Sequence, residues 1–440
     1  MTTTQAELEF DERLRQDPAG AYASFETLHR LLAERRVLFG GEPLPCCVKP
    51  HFVLRDRYAA WIGSIEALLR AAEELGRILL AEPDLYEEIG LPPAARALIS
   101  IDPGYRRLAI VARPDVLWNG ERLAVCEINC DSPAMMTFTD VIEEQILSLS
   151  PLAEVAVRYE MAASQRTRAL LDAALEAYRE WGGREPAPAI AIVDWRGQKT
   201  EQEREYAARW LTRLGYPATA CDPRELKIQG RRLLARGRPV DVVLRRVLFP
   251  DFLARADELG PLLTAYRERL ACVVNPLRSF LIGNKSLLAL LGRPEVLSRL
   301  SPQARSACRS TLLPTFRLRP GDEVREEFVA RRADWVLKPA LGYGGERVEF
   351  GAAHDARSWQ AVMKSAAGPW VLQQRFEPQT CRSPLFEGRP GEMAWTARRA
   401  NWCPFVFGGR FGGAMTRVSR QMIVSITARG ALLPAIPVRH

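Results

Sequence analysis

At 440 residues the chain is long enough for two or three domains with sizeable cores. It is 47% hydrophobic and 26% charged, a globular composition, and no apolar run approaches the ~20 residues of a membrane span. The opening Met1-Thr-Thr-Thr-Gln-Ala-Glu7 lacks the basic start and apolar stretch of a secretion signal, so a cytoplasmic protein with no membrane partner is expected.

The net charge is +8, and only six of the 61 cationic residues are lysines: Lys49, Lys199, Lys227, Lys285, Lys338 and Lys364. The arginines are spread through mixed-charge helices without a concentrated stripe or interleaved aromatics. That argues against nucleic acid and leaves an anionic small substrate or phosphate. Where arginine supplies nearly every cation, a lysine inside a motif marks a need for a compact point charge. The nine cysteines are scattered, with Cys126 and Cys130 at a spacing unlike a zinc knuckle, and read as small buried hydrophobes. None of His29, His51, His354 and His440 adjoins a Ser or Cys signature, which argues against a catalytic triad.

In chain order, residues 7–37 read as one helix, broken by Gly40-Gly41 and Pro43. A long amphipathic helix is expected from about Asp56 to Leu80, and Pro92-Pro93 opens a short one. Asp102-Pro103-Gly104 then turns the chain into a hairpin. A helix starting near Asp140 follows, then a second from Leu152 to Trp181, ended by Gly182-Gly183. From Ala189 the pattern becomes βαβ. Strands are expected at Ala189–Asp194, Ala218–Ala220, Asp241–Arg246 and Cys272–Asn275, with helices at Glu201–Leu214 and Phe252–Leu270. Further on come a short helix Ser286–Leu291, helical stretches to Thr311, a strand at Trp335–Pro339, a Gly-rich turn and a strand at Trp370–Pro378. The domains expected are 1–105, 106–183, 184–275 and 276–440.

The hairpin, Arg113-Pro-Asp115 to Glu127-Ile-Asn129-Cys-Asp131-Ser132-Pro133, concentrates acidic and amide groups at strand ends. Glu127 and Asn129 are two apart and share a strand face. A carboxylate and an amide oxygen side by side suit a hard cation such as Mg²⁺, although an ordinary polar strand end would look the same. A two-residue Asn119-Gly120 turn would put Asp115 opposite Ala124 and on the wrong face. A three-residue loop, or a bulge with the same effect, brings Arg113, Asp115, Glu127 and Asn129 together.

Lys338 ends an apolar strand and is followed by Gly342, Gly344 and Gly345. Such a loop lets backbone N–H groups approach phosphate while the ammonium neutralises it. It is not the Walker pattern, since no Gly-Lys-Ser/Thr opens a helix. Lys285 opens a helix where the dipole disfavours a cation, which points to an anionic ligand. Gln373 and Gln374 end a strand whose main chain could meet an adenine; an edge strand is the plain alternative. Arg417 follows Gly412-Gly413 and could meet a phosphate or a carboxylate.

Together these motifs resemble the glutathionylspermidine synthase-like family, the circularly permuted branch of the ATP-grasp ligases. The resemblance rests on Arg113-Pro-Asp115, Glu127 to Pro133, Asn284-Lys285, Val336-Leu-Lys338 with its glycines, Val371-Leu-Gln373-Gln374 and Gly412-Gly413-Ala-Met-Thr416-Arg417. The acidic pair precedes the lysines, the order of the permuted branch. The fold implied is α/β with α+β elements: a permuted ATP-grasp core, a Rossmann-like pre-ATP-grasp domain and an N-terminal helical segment. The resemblance further implies ATP and Mg²⁺ as cofactors. Lys285, Lys338, Gly342, Gly344, Gly345, Gln373 and Gln374 would bind the nucleotide, and Asp115, Glu127 and Asn129 the metal. Arg113 and Arg417 would stabilise an acyl phosphate, Ser132 would contact the acid substrate, and the Gly-rich loop would act as a lid. The expected reaction joins a small-molecule or peptide carboxylate to an amine. The rival readings are a non-catalytic nucleotide-binding scaffold and a kinase that stops at the acyl phosphate. Met135-Met136-Thr137 replace the small residues expected after Ser132-Pro133, which bears on the acid pocket.

Overall fold

In the computed structural model, residues 3–120, 122–319, 322–342, 345–365, 369–386, 393–428 and 430–439 are described. The chain is a mixed α/β structure in which three sheets position the site. The largest has seven strands. In spatial order they are His51–Leu54, Ala431–Val438, Arg410–Ser419, Met393–Phe407, Val111–Trp118 and Leu123–Asn129, with Thr380–Phe386 also on Met393–Phe407. All its pairs are antiparallel except His51–Leu54 with Ala431–Val438. The segment expected to be purely helical therefore contributes a strand. His51-Phe-Val-Leu54 is a short apolar run and finds its partner near the other end of the chain.

Helix Arg55–Ala81 covers this sheet through Tyr58, Trp61 and Ile65, which are buried. Trp61 meets Trp402 with ring centroids 5.2 Å apart. From the other side, helix Arg166–Trp181 approaches closely at Gly412 and Gly413. A Cβ at Gly413, whose φ is +128°, would fall 2.9 Å from Arg166 Cγ, so this glycine makes room for a buried arginine. Arg166 is fully buried, donates to Ala414 O at 2.5 Å, and is neutralised by Asp140 and Glu143.

The expected α/β unit is present as a four-stranded parallel sheet: Cys272–Val274, Val242–Arg245, Ile190–Val193 and Ala218–Cys221, in that spatial order. These runs are short and almost wholly apolar, as strands buried on both faces are. The third sheet is antiparallel, ordered Thr315–Leu318, Trp370–Gln374, Trp335–Pro339 and Glu349–Phe350. Thr315–Leu318 was not expected as a strand. It makes Trp370–Gln374 an interior strand and not an edge.

Three expected long helices are divided. Residues 7–37 form Gln5–Gln16 and Pro18–Glu34, because Pro18 starts a new helix whose Gly20 N–H is capped by Asp17. The stretch Leu152–Trp181 forms Ser150–Arg158 and Arg166–Trp181, interrupted by Glu160 at φ +50° and restarted where Asp140 accepts from Arg166 N–H and Thr167 N–H. The stretch Phe252–Leu270 breaks into Phe249–Ala254, a short 3₁₀ turn and Gly260–Arg267. Among the described residues no helix is long and apolar enough to cross a membrane. All nine cysteines are free and most are buried.

Candidate functional site

The hairpin meets the register condition by a bulge. Near the turn, Trp118 pairs with Leu123 and Leu117 with Ala124, a register that would turn Glu127 away from Asp115. The register then shifts between Asp115 and Val116, so that Asp115 faces Glu127 and Arg113 faces Asn129. Cys126 is the extra residue, and its thiol donates to Asp115 O at 3.2 Å. Burial pushes that thiol up to about 12, so it stays protonated.

The four side chains converge. Asn129 Nδ2 lies 3.3 Å from Asp115 Oδ1 and 3.2 Å from Glu127 Oε1. Arg417, opposite Asn401 in the neighbouring strand pair, donates to Asp115 Oδ2. Arg113 donates to Ala134 O at 3.0 Å, and its Nε stands 3.9 Å from Asp115 Oδ1. Lys285, beginning helix Lys285–Leu291, places Nζ 3.2 Å from Glu127 Oε2 and donates to Gly342 O at 2.9 Å. Lys338 donates to Gln373 Oε1 at 2.8 Å, and Gln373 Nε2 donates in turn to Thr315 Oγ1 at 3.1 Å.

Electrostatically the cluster is four cations around two carboxylates. Burial raises Asp115, with Glu127 adding to the push, against the pull of Arg417. Burial would raise Glu127 as well, but Lys285, Lys338 and Arg417 outweigh it and hold this carboxyl well below the usual range. Arg113 Nε and Arg417 Nε are buried and donate to nothing among the described residues. A surplus of cation and two unused donors suit a polyanion such as a phosphate chain.

A cleft of about 1490 Å³, open solvent included, runs between the seven-stranded and the antiparallel four-stranded sheets. Of the expected site residues, Arg113, Asp115, Glu127, Asn129, Ser132, Lys338, Gly345, Gln373, Gln374 and Arg417 line it. Lys285 reaches it through Glu127, and Gly342 through Lys285. Gly344 lies outside the described residues. A Cβ at Gly345 would come 2.7 Å from Ile423, so a side chain there would close the cleft wall. The N–H groups of Gln374 and Arg375 are taken by Pro314 O and Asp334 O. Gln373 itself is engaged by Lys338.

Sequence reasoning missed Glu377, Arg399 and Asn401, which line the cleft together with Arg375. Glu377 accepts from Arg375 at 2.7 Å and from Arg399 at 2.9 Å. The available signal was Arg399 and Asn401 two apart before the apolar run Trp402–Phe407. His51 is a core residue: buried, stacked on Trp118 and bonded to Thr416, it is kept neutral by burial.

Among the described residues there is no cluster of three or more His, Cys, Asp or Glu side chains able to hold a metal. The hairpin offers two carboxylates and an amide. These are hard oxygen donors that fit Mg²⁺: Asn129 now donates Nδ2 to the two carboxylates, and turning its amide over would set Oδ1 beside them for a cation.

Among solved structures the chain is similar to a glutathione synthetase-like effector from Globodera pallida in apo form, at 12% identity and TM-score 0.63, covering 94% of this chain and 96% of that one. It also matches a putative gamma-glutamylcysteine synthetase from Methylobacillus flagellatus KT, at 12% identity and TM-score 0.41, covering 86% of this chain and 85% of that one. No curated protein matches. The model of the glutathionylspermidine synthase preATP-grasp family matches residues 58–429, most of the chain and every motif of the cleft, and the chain belongs to that family.

Proposed function

We propose that the chain is an ATP-dependent carboxylate–amine ligase working through an acyl phosphate. Family membership supports a ligase-type reaction and ATP use in general. The observation that carries the finer reading is the convergence of Asp115, Glu127 and Asn129 with Lys285, Lys338 and Arg417 at one cleft. The hairpin precedes the lysines in sequence yet shares a sheet with the strands of residues 393–438, an arrangement that supports a permuted ATP-grasp core.

Asp115, Glu127 and Asn129 would hold Mg²⁺, which when bound supplies charge neutralisation to a phosphate chain. Lys285 and Lys338 reach the nucleotide phosphates from two separate elements, so they orient as well as neutralise them. A substrate carboxylate near Ser132 attacks the γ-phosphorus and ADP leaves with the bonding pair. The amine then attacks the acyl carbon, loses a proton and expels phosphate. Arg113 and Arg417 stabilise the charge that develops on the transferred group through the Nε–H donors that the protein leaves unused. The cation surplus also explains how Glu127 stays ionised in a half-buried site.

The test is ADP release by the full chain with ATP, Mg²⁺ and panels of peptides, amino acids and polyamines, with products identified by mass. Release that depends on Mg²⁺, an acid and an amine is expected. ATP binding with no ADP formed under any mixture would replace this reading with the scaffold.

A further inference from the structure

Beyond Ser132 the cleft opens into a second cavity. It shares Asp131, Ser132 and Pro133 with the first. It lies at the carboxyl ends of strands Ile190–Val193 and Val242–Arg245, from which the parallel sheet continues outward in opposite directions. Open α/β sheets leave a ligand crevice at such a point.

The cavity wall contains arginines, and although Arg204 Nε and Arg246 Nε donate to nothing among the described residues, each guanidinium is already neutralised by a carboxylate. Arg245 is 2.7 Å from Asp131 Oδ1 and donates to Asn275 O at 3.0 Å. Arg204 donates to Asp194 O, Cys221 O and Glu201. Arg246 is held by Glu203 Oε2 at 3.2 Å and Thr200 Oγ1 at 3.2 Å, with Asp194 at 3.5 Å. The start of helix Met136–Ser148, which could hold an incoming carboxylate, is occupied from within: Glu203 accepts from Met135 N–H at 2.9 Å and Thr137 N–H at 3.1 Å. Beside these groups the wall is mainly apolar, with Met136, Leu170, Leu171 and Leu211, and Thr137 and Thr167 among them.

Resting on the ligase reading above, we infer that this cavity receives the side group of the carboxylate substrate and selects an apolar, uncharged one. An acidic side group would face Asp131, whose cationic partner Arg245 is already used. An apolar group would be desolvated against the methionine and the leucines. Met136, standing where a smaller residue is expected from the family pattern, forms part of that wall.

The experiment uses the full chain with ATP, Mg²⁺ and hydroxylamine as the amine, and dipeptides that differ only in a C-terminal glycine, leucine or aspartate. ADP and hydroxamate are measured, and calorimetry follows dipeptide binding without turnover. The leucine dipeptide is expected to exceed the glycine one in kcat/KM by about tenfold or more, with aspartate lowest. Its binding should carry the negative heat-capacity change of apolar burial. Leu170→Asp, at a half-buried position, should bring the leucine-to-glycine ratio close to one. Equal rates across the three, or aspartate leading, would overturn the inference and leave the ligase standing. Leucine binding that depends on Leu170 without any ADP would support the cavity's selectivity and remove the ligase reading. Neither turnover nor binding with any dipeptide would overturn both.

Discussion

The two sheets that meet at the cleft hold their charges by opposite means. On the seven-stranded side Asp115 is only 6% exposed and is fixed by Arg417, Asn129 and the nearby Arg113. These charges are part of the way the strands pack. On the antiparallel four-stranded side, Lys338 is held by one hydrogen bond to a neutral amide, above a small core of Phe328, Leu337, Trp359, Met363, Trp370 and Leu372. One side is an electrostatic floor built into the fold. The other presents a cation whose main counter-charge would come with a ligand.

Breaking the floor should therefore cost folding as well as chemistry. Asp115→Ala leaves Arg417 buried without its carboxylate, and a loss of about 3–5 kcal/mol in urea unfolding is expected, with ADP release abolished. Lys338→Met on the other side strands the neutral Gln373 amide and leaves Glu127 to Lys285 and Arg417. Its unfolding free energy should stay within about 1 kcal/mol of the parent, while ADP release falls about 10²–10³-fold. Equal stability losses in the two variants would erase the distinction between the sheets.

Glu127 belongs to both sides, since it stands on the hairpin but is neutralised from Lys285 and Lys338. Burial works against its charge, yet those cations and Arg417 bring it to about 2 from an ordinary 4.5. Its contribution to stability is complete above pH 4.5 and is lost as pH falls toward 2. Asp115, raised by burial, has the opposite sign: its contribution is present at low pH and is lost as pH rises through its folded value. Glu127→Gln should therefore flatten the acid limb of stability and Asp115→Asn should steepen it. Urea midpoints at about pH 3 and pH 5 test this, and a parallel shift of both variants would contradict it.

What could be read from the sequence was local. The hairpin, the βαβ strands and Lys338 with its glycines declare themselves through alternation, short apolar runs and the scarcity of lysine. The pairing of His51–Leu54 with Ala431–Val438 joins segments hundreds of residues apart and leaves no local trace. The same holds for Glu203, an ordinary helix residue by pattern, which is fully buried and caps a second helix far from it in sequence. Thr315–Leu318 was hidden because its burial is partial and its partner Trp370–Gln374 lies beyond two helices and two strands. The divided helices show punctuation overriding periodicity: Pro18 and Glu160 interrupt stretches whose apolar spacing continues past them.

The smallest expected effect separates loop from bulge as the source of the hairpin's register. Gly120 sits in the turn at φ +84°, and a Cβ there would meet nothing within 4 Å. Gly120→Ala is thus a purely conformational change, expected to cost about 1 kcal/mol through the left-handed backbone. The facing of Asp115 and Glu127 is set farther along, by the extra residue Cys126. If the bulge holds the register, melting should occur a few degrees lower while ADP release stays within about twofold of the parent. A loss of activity matching that of Lys338→Met would mean that the turn, and not the bulge, keeps the two carboxylates on one face.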